Sequence, residues 1–123
     1  MSAGTRQKIL FVDDEESWRN QVSACLVQAG FDVLAAADGS EAMHKAAESP
    51  LGLIIVDDDL AGESGVMLTK FLRCNHPGVP TMLYTTRRRS TYRPSEMTSD
   101  VADRCLPKGS MTDLLANVAY YVR

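Results

Sequence analysis

The feature that most limits what this chain can fold into is an alternation repeated five times, a short apolar or β-branched run followed by a longer, mostly amphipathic stretch. Lys8–Val12 (KILFV) reads as a strand, and Trp18, Val22, Cys25, Leu26 and Ala29 recur at helical spacing after it until Gly30 stops the helix. Asp32–Ala37 is a second strand, and Ala42, Met43, Ala46 and Ala47 line a helix that ends before Pro50. Leu51–Asp57 (LGLIIVD) is apolar without interruption until its last residue, which predicts a strand buried on both faces. Val66, Leu68, Phe71 and Leu72 belong to the helix after Gly65. Val79–Thr85 is the fourth strand, and residues 87–99 are polar and form a weak helix at best. Arg104–Pro107 is the fifth strand, and Leu114, Leu115, Val118, Ala119 and Val122 mark the last helix. Such an alternation predicts one α/β domain over residues 1–123, a doubly wound (βα)5 unit with a five-stranded parallel sheet and helices on both faces.

Composition narrows the class. No apolar run approaches the roughly 20 residues that span a bilayer, and the N-terminal MSAGTRQK lacks a signal-peptide apolar core, so a cytoplasmic protein with no membrane association is expected. Cys25, Cys74 and Cys105 are odd in number and form no CxxC pair, which predicts reduced, packed thiols. Residues 1–63 carry a net charge of −8 and residues 64–123 one of +5. An acidic half argues for a cation and against direct nucleic-acid binding. Arg87–Arg93 (RRRSTYR) reads as a solvated basic loop.

In open parallel sheets the ligand site lies beyond the carboxyl ends of the strands. The polar residues there are Asp13 and Asp14, then Asp57, Asp58 and Asp59, then Thr85 and Thr86, then Lys108. Clustered carboxylates repel one another and raise each other's pKa unless a cation sits among them. Magnesium suits such a set, because it takes oxygen ligands and commonly bridges to a phosphoryl group. With a lysine and a hydroxyl opposite, the constellation reads as a phosphoryl-transfer site with an aspartate acceptor.

ILFVDDEE, VDDDLAGESG, LYTT and LPKG, in that order and at those spacings, resemble the receiver domain of two-component response regulators, the CheY-like, flavodoxin-like fold, over essentially the whole chain. The resemblance implies a phosphoacceptor aspartate eight residues before a turn glycine; counting back from Gly65 selects Asp57. It also implies metal ligation by Asp14 directly, by Asp13 through water or hydrogen bonding, by Asp57, and by the main-chain carbonyl of Asp59. Thr85 matches the switch hydroxyl, with Thr86 beside it, and Lys108 matches the lysine that pairs with phosphoryl oxygens. The implied cofactor is Mg2+. The implied partners are a histidine kinase or histidine phosphotransfer protein as donor, and a downstream protein target or attached output domain. The implied activity is signalling, with catalysis confined to the domain's own phosphoryl transfer and dephosphorylation.

Alternation of side chains at a strand end turns Asp58 away from the site, where a solvated turn charge is expected. Glu15 and Glu16 suit a helix start, and His44 and His76 are expected at the surface. The chain departs from the family pattern at Ala61 and Gly109, where prolines are usual, and at Thr86, where alanine or glycine is common. It departs again at Cys105, an output-face position usually aromatic. The Gly109 departure puts the family's cis peptide in doubt. Two other readings stay open: a degenerate receiver serving as a constitutive binding module, and an aspartate-nucleophile phosphatase of the haloacid dehalogenase type, suggested by Asp57-x-Asp59.

Overall fold

A computed structural model describes residues 7–60, 62–85 and 102–122. The uninterrupted apolar run becomes the centre of the sheet: β3 (Leu51–Asp57) is buried at every position. It lies between β1 (Lys8–Val12) and β6 (Thr81–Thr85), and β2 (Val33–Ala36) and β7 (Arg104–Pro107) form the edges. All pairings in the order β2-β1-β3-β6-β7 are parallel, as predicted.

Helices α1 (Glu16–Gln28) and α4 (Met111–Tyr121) cover one face, where Val22, Leu26, Leu114 and Val118 pack with Ile9, Phe11, Leu53, Ile55, Met82 and Tyr84. Helices α2 (Gly39–Glu48) and α3 (Gly65–Asn75) cover the other, through Ala42, Ala46, Leu68 and Leu72 against Leu10, Val12, Ile54 and Val56. The doubly wound architecture follows because neither face of the central strand can be left in water. The expected weak helix at residues 87–99 and the basic loop lie outside the described residues.

Strand boundaries shift where backbone chemistry demands it. β6 begins at Thr81 and not at Val79, because Pro80 has no N–H to give a ladder and instead accepts from Ile54 N through its carbonyl (3.0 Å). β2 is shorter than Asp32–Ala37 at both ends. The helices bury a narrower stripe than the apolar residues suggested: Met43, Ala47, Phe71, Ala29 and Ala119 are exposed. Cys25 and Cys105 are half-buried, but Cys74 is exposed, on the outer face of α3 one turn from Phe71. That corrects the expectation of three packed thiols. His44 is exposed and His76 half-buried.

A short antiparallel hairpin, β4 (Asp59–Leu60) and β5 (Glu63–Ser64), connects β3 to α3 and was not predicted. Its two-residue strands are below the length at which alternation can be read. No helix among the described residues is long and apolar enough to cross a membrane.

Candidate functional site

The period of two along each strand sets the site. On the α1/α4 face the rows run Ile9, Phe11 on β1, Leu53, Ile55 on β3, Met82, Tyr84 on β6 and Leu106 on β7. Two residues further along three of those rows come Asp13, Asp57 and Lys108. They meet although 95 residues separate the first from the last: Lys108 Nζ lies 3.1 Å from Asp13 Oδ2 and 2.9 Å from Asp57 Oδ2. All three are shielded, with side-chain exposures of 13% for Lys108, 0% for Asp13 and 5% for Asp57.

The remaining oxygens are oriented by the main chain. Glu15 N donates to Asp13 Oδ1 (3.0 Å), which ties the first aspartate to the start of α1, and Asp59 N donates to Asp57 Oδ1 (3.1 Å). Arg19, one turn into α1, donates through Nη1 to the Asp13 carbonyl (2.9 Å). Glu15 and Glu16 stand at the N-cap and first residue of α1, as expected for acids near a helix's positive end. Asp13, Asp14 and Asp57 can each turn a carboxylate oxygen to within 4.8 Å of the others. Two buried carboxylates, one exposed carboxylate and no soft ligand suit a hard, oxygen-seeking divalent cation, so the donor set fits magnesium.

Burial raises the Asp57 carboxyl from 3.8 to about 6, against the lowering effects of the Lys108 and Asp59 hydrogen bonds, and the nearby Asp13 charge adds to the rise. Burial works against the Lys108 ammonium as well, but the hydrogen bonds and charges of Asp57 and Asp13 outweigh it and hold its pKa above the ordinary value. One ammonium shared by two carboxylates stays charged, while the carboxylates compete for it.

Gly65 explains the turn that closes this pocket. A Cβ there would lie 2.0 Å from Asp57 O and 2.5 Å from Asp58 Cα, so the first turn of α3 can sit on the end of β3 only without a side chain. Gly65 N also donates to Asp58 O (3.2 Å). This is why Asp58 is not the solvated charge expected of it. It is only 5% exposed, with the first turn of α3 beginning over its backbone. Asp59 is exposed at the rim.

Thr85 ends β6 opposite Pro107, but its side chain, Thr86 and Ala61 lie outside the described residues. Cys105 packs half-buried beside Val66, Leu83 and Ala102. Gly109 has φ +138°, a conformation closed to proline, and no described peptide bond is cis. Two neighbours of the site escaped the sequence reading. Tyr84 lies under Lys108, a placement that the two-residue row through Met82 could have signalled. Glu63 reaches from the hairpin to accept from Gly39 N at the start of α2 (3.0 Å), a contact for which no local pattern exists.

Residues 9–119 match the response regulator receiver domain family. The chain belongs to that family. It is 37% identical over 81 residues to the alkaline phosphatase synthesis transcriptional regulatory protein PhoP of Bacillus subtilis, an alignment covering 66% of this chain and 34% of that protein. The chain spans about a third of the length of the curated relatives it matches. Among solved structures, the chemotaxis response regulator CheY4 of Vibrio cholerae superposes with a TM-score of 0.83 at 31% identity, covering 95% of this chain and 99% of that one. The response regulator TrrA of Thermotoga maritima, solved in complex with Mg(2+)-BeF, gives 0.80 at 26% identity, with coverage of 95% and 99%. The receiver domain is thus a CheY-like signalling domain of two-component regulators and not a classical enzyme. The haloacid dehalogenase reading falls with that assignment, and in keeping with this Asp57 ends the third strand of the chain, not the first.

Proposed function

We propose that Asp57 accepts a phosphoryl group from a phosphohistidine of a histidine kinase or histidine phosphotransfer protein, and that the acyl phosphate formed changes how the domain binds a downstream partner or an attached output domain. The observation that carries this reading is the pair of contacts from Lys108 to Asp57 and Asp13 at the carboxyl end of the sheet. An Asp57 carboxylate oxygen attacks phosphorus, the P–N bond breaks, and its electron pair stays with the departing imidazole. Lys108 already touches the acceptor oxygen and is placed to neutralise the phosphoryl oxygens as they arrive. The hydrogen bond from Asp59 N holds the other acceptor oxygen, so the carboxylate presents one orientation to the donor.

Asp13, Asp14, Asp57 and the main-chain carbonyl of Asp59 would hold Mg2+. When bound, the ion supplies charge neutralisation across the carboxylates and the phosphoryl group. The Thermotoga relative solved with Mg(2+)-BeF, whose beryllium fluoride stands in for a phosphoryl group, supports this choice. Thr85 supplies the switch hydroxyl and Thr86 the bulk beside it. Asp59, exposed at the rim, and the added bulk of Thr86 govern the access of water, and so the domain's own dephosphorylation. The constitutive-module alternative has one observation in its favour: β7 carries Cys105, half-buried beside Leu83, where a bulky aromatic reporter is usual.

Incubation with a small phosphodonor and Mg2+ should add one phosphoryl group, located at Asp57 by mass spectrometry and abolished in Asp57→Asn. Equal modification of the variant, or modification at Asp58, would refute the assignment.

A further inference from the structure

The Lys108 ammonium meets a third group besides the two carboxylates. It lies 5.6 Å from the centroid of the Tyr84 ring, within the range at which a cation is held by an aromatic face. That ring is closely packed. Tyr84 is fully buried, stacked on Trp18 with centroids 6.2 Å apart and planes 23° from parallel, and it packs at a tilt of 60° against Phe11, also 6.2 Å away. It stands in β6 directly opposite Asp57 in β3 and opposite Leu106 in β7, two residues before Lys108. The hydroxyl contributes little to this arrangement, since it lies by the Gly109 main chain without a well-formed hydrogen bond.

The two kinds of contact differ in what happens to them during phosphoryl transfer. The carboxylate oxygens that hold Lys108 in the resting protein are the same groups that a divalent cation and a phosphoryl group would engage. The ring is not among the groups that either would engage, and its contacts are with Trp18 and Phe11 on the same face of the sheet. We propose that Tyr84 is a positioning residue for phosphoryl transfer: its ring, braced by Trp18 and Phe11, is the fixed floor that keeps the Lys108 ammonium over Asp57 while its carboxylate contacts are exchanged for phosphoryl oxygens. The proposal rests on the transfer reading given above.

The test replaces Tyr84 with phenylalanine and then with phenylalanines of increasing ring fluorination, which weaken the attraction for a cation at nearly constant size and so spare the packing. Tyr84→Phe should phosphorylate within about twofold of wild type, because the ring face is retained. The limiting phosphorylation rate should then fall stepwise, by about tenfold at full fluorination, while Mg2+ affinity measured by calorimetry stays constant. In the metal-free protein, the side-chain ammonium NMR signal of Lys108 should move along the same series. A limiting rate and an ammonium signal that ignore fluorination would overturn the proposal, as would Mg2+ affinity falling in parallel with the rate, since that marks general disruption. A wild-type protein that accepts no phosphoryl group at Asp57 is a separate result, which overturns the transfer reading and the proposal with it.

Discussion

Burial sets the chemistry of Asp57 and also its effect on stability. With the folded carboxyl at about 6 and the unfolded one at 3.8, the folded state binds the extra proton between those values, so the contribution of this group falls as pH rises from about 4 to about 6. Above that window the full penalty for an ionised, buried carboxylate applies. In chelator, Asp57→Asn should therefore be more stable than wild type above pH 6, by at most about 3 kcal/mol, and the advantage should vanish near pH 4. Urea unfolding of both proteins across that range checks it, and parallel stability curves would contradict the strained acceptor. The same penalty is useful to a phosphoacceptor, because a carboxylate poorly served by its surroundings gains more from a cation and from covalent transfer.

Among the elements, the segment from β3 to α3 carries most of the site's precision. Two glycines meet it with different demands, Gly65 at its end and Gly39 at the start of α2 against Glu63. At Gly65 an added Cβ meets rigid backbone at 2.0 and 2.5 Å, whereas at Gly39 it meets the mobile carboxylate end of Glu63 at 2.6 Å. Gly65→Ala should cost roughly 3 kcal/mol or more and loosen the Asp57–Asp59 turn. Gly39→Ala should cost less than about 1 kcal/mol, since Glu63 can swing aside and alanine favours the helix. Chemical denaturation separates the two, and equal losses would mean that the helix-on-strand contact is not what Gly65 provides. Serines cap two of the helices as sequence rules would have it: Ser64 Oγ accepts from Met67 N and Ser110 Oγ from Asp113 N, both at 3.1 Å. Asp38 Oδ1 does the same for Glu41 N at 2.8 Å.

For the molecule as a whole, a cation held at the proposed site would link it to global stability. A ligand that binds only the folded state stabilises it by mass action, about 2.7 kcal/mol at a hundred times its dissociation constant. Millimolar Mg2+ should accordingly raise the melting temperature of wild type. Asp14 is exposed, so Asp14→Ala should change metal-free stability little and yet remove most of the Mg2+-dependent rise. Calorimetric scans with and without the ion test both halves, and a wild type indifferent to Mg2+ would contradict the site.

What the chain determines by itself is what near neighbours can encode. The continuous apolar run Leu51–Val56 and the helical spacing around it depend on residues a few positions apart, so they already specify a parallel sheet and hence the edge at which Asp13, Asp14, Asp57 and Lys108 collect. Motif spacing to Gly65 singles out Asp57 from three adjacent aspartates as the proposed acceptor, and the close approach at that glycine shows why the turn takes a residue without a side chain there. Tertiary packing decided the rest. Asp58 is buried because α3 starts above it, Glu63 reaches Gly39 across 24 residues, and the Tyr84 ring lies beneath an ammonium from another strand. Each of these depends on where separate elements come to rest against one another, and neither side-chain period nor propensity carries that information, because both are properties of a single segment.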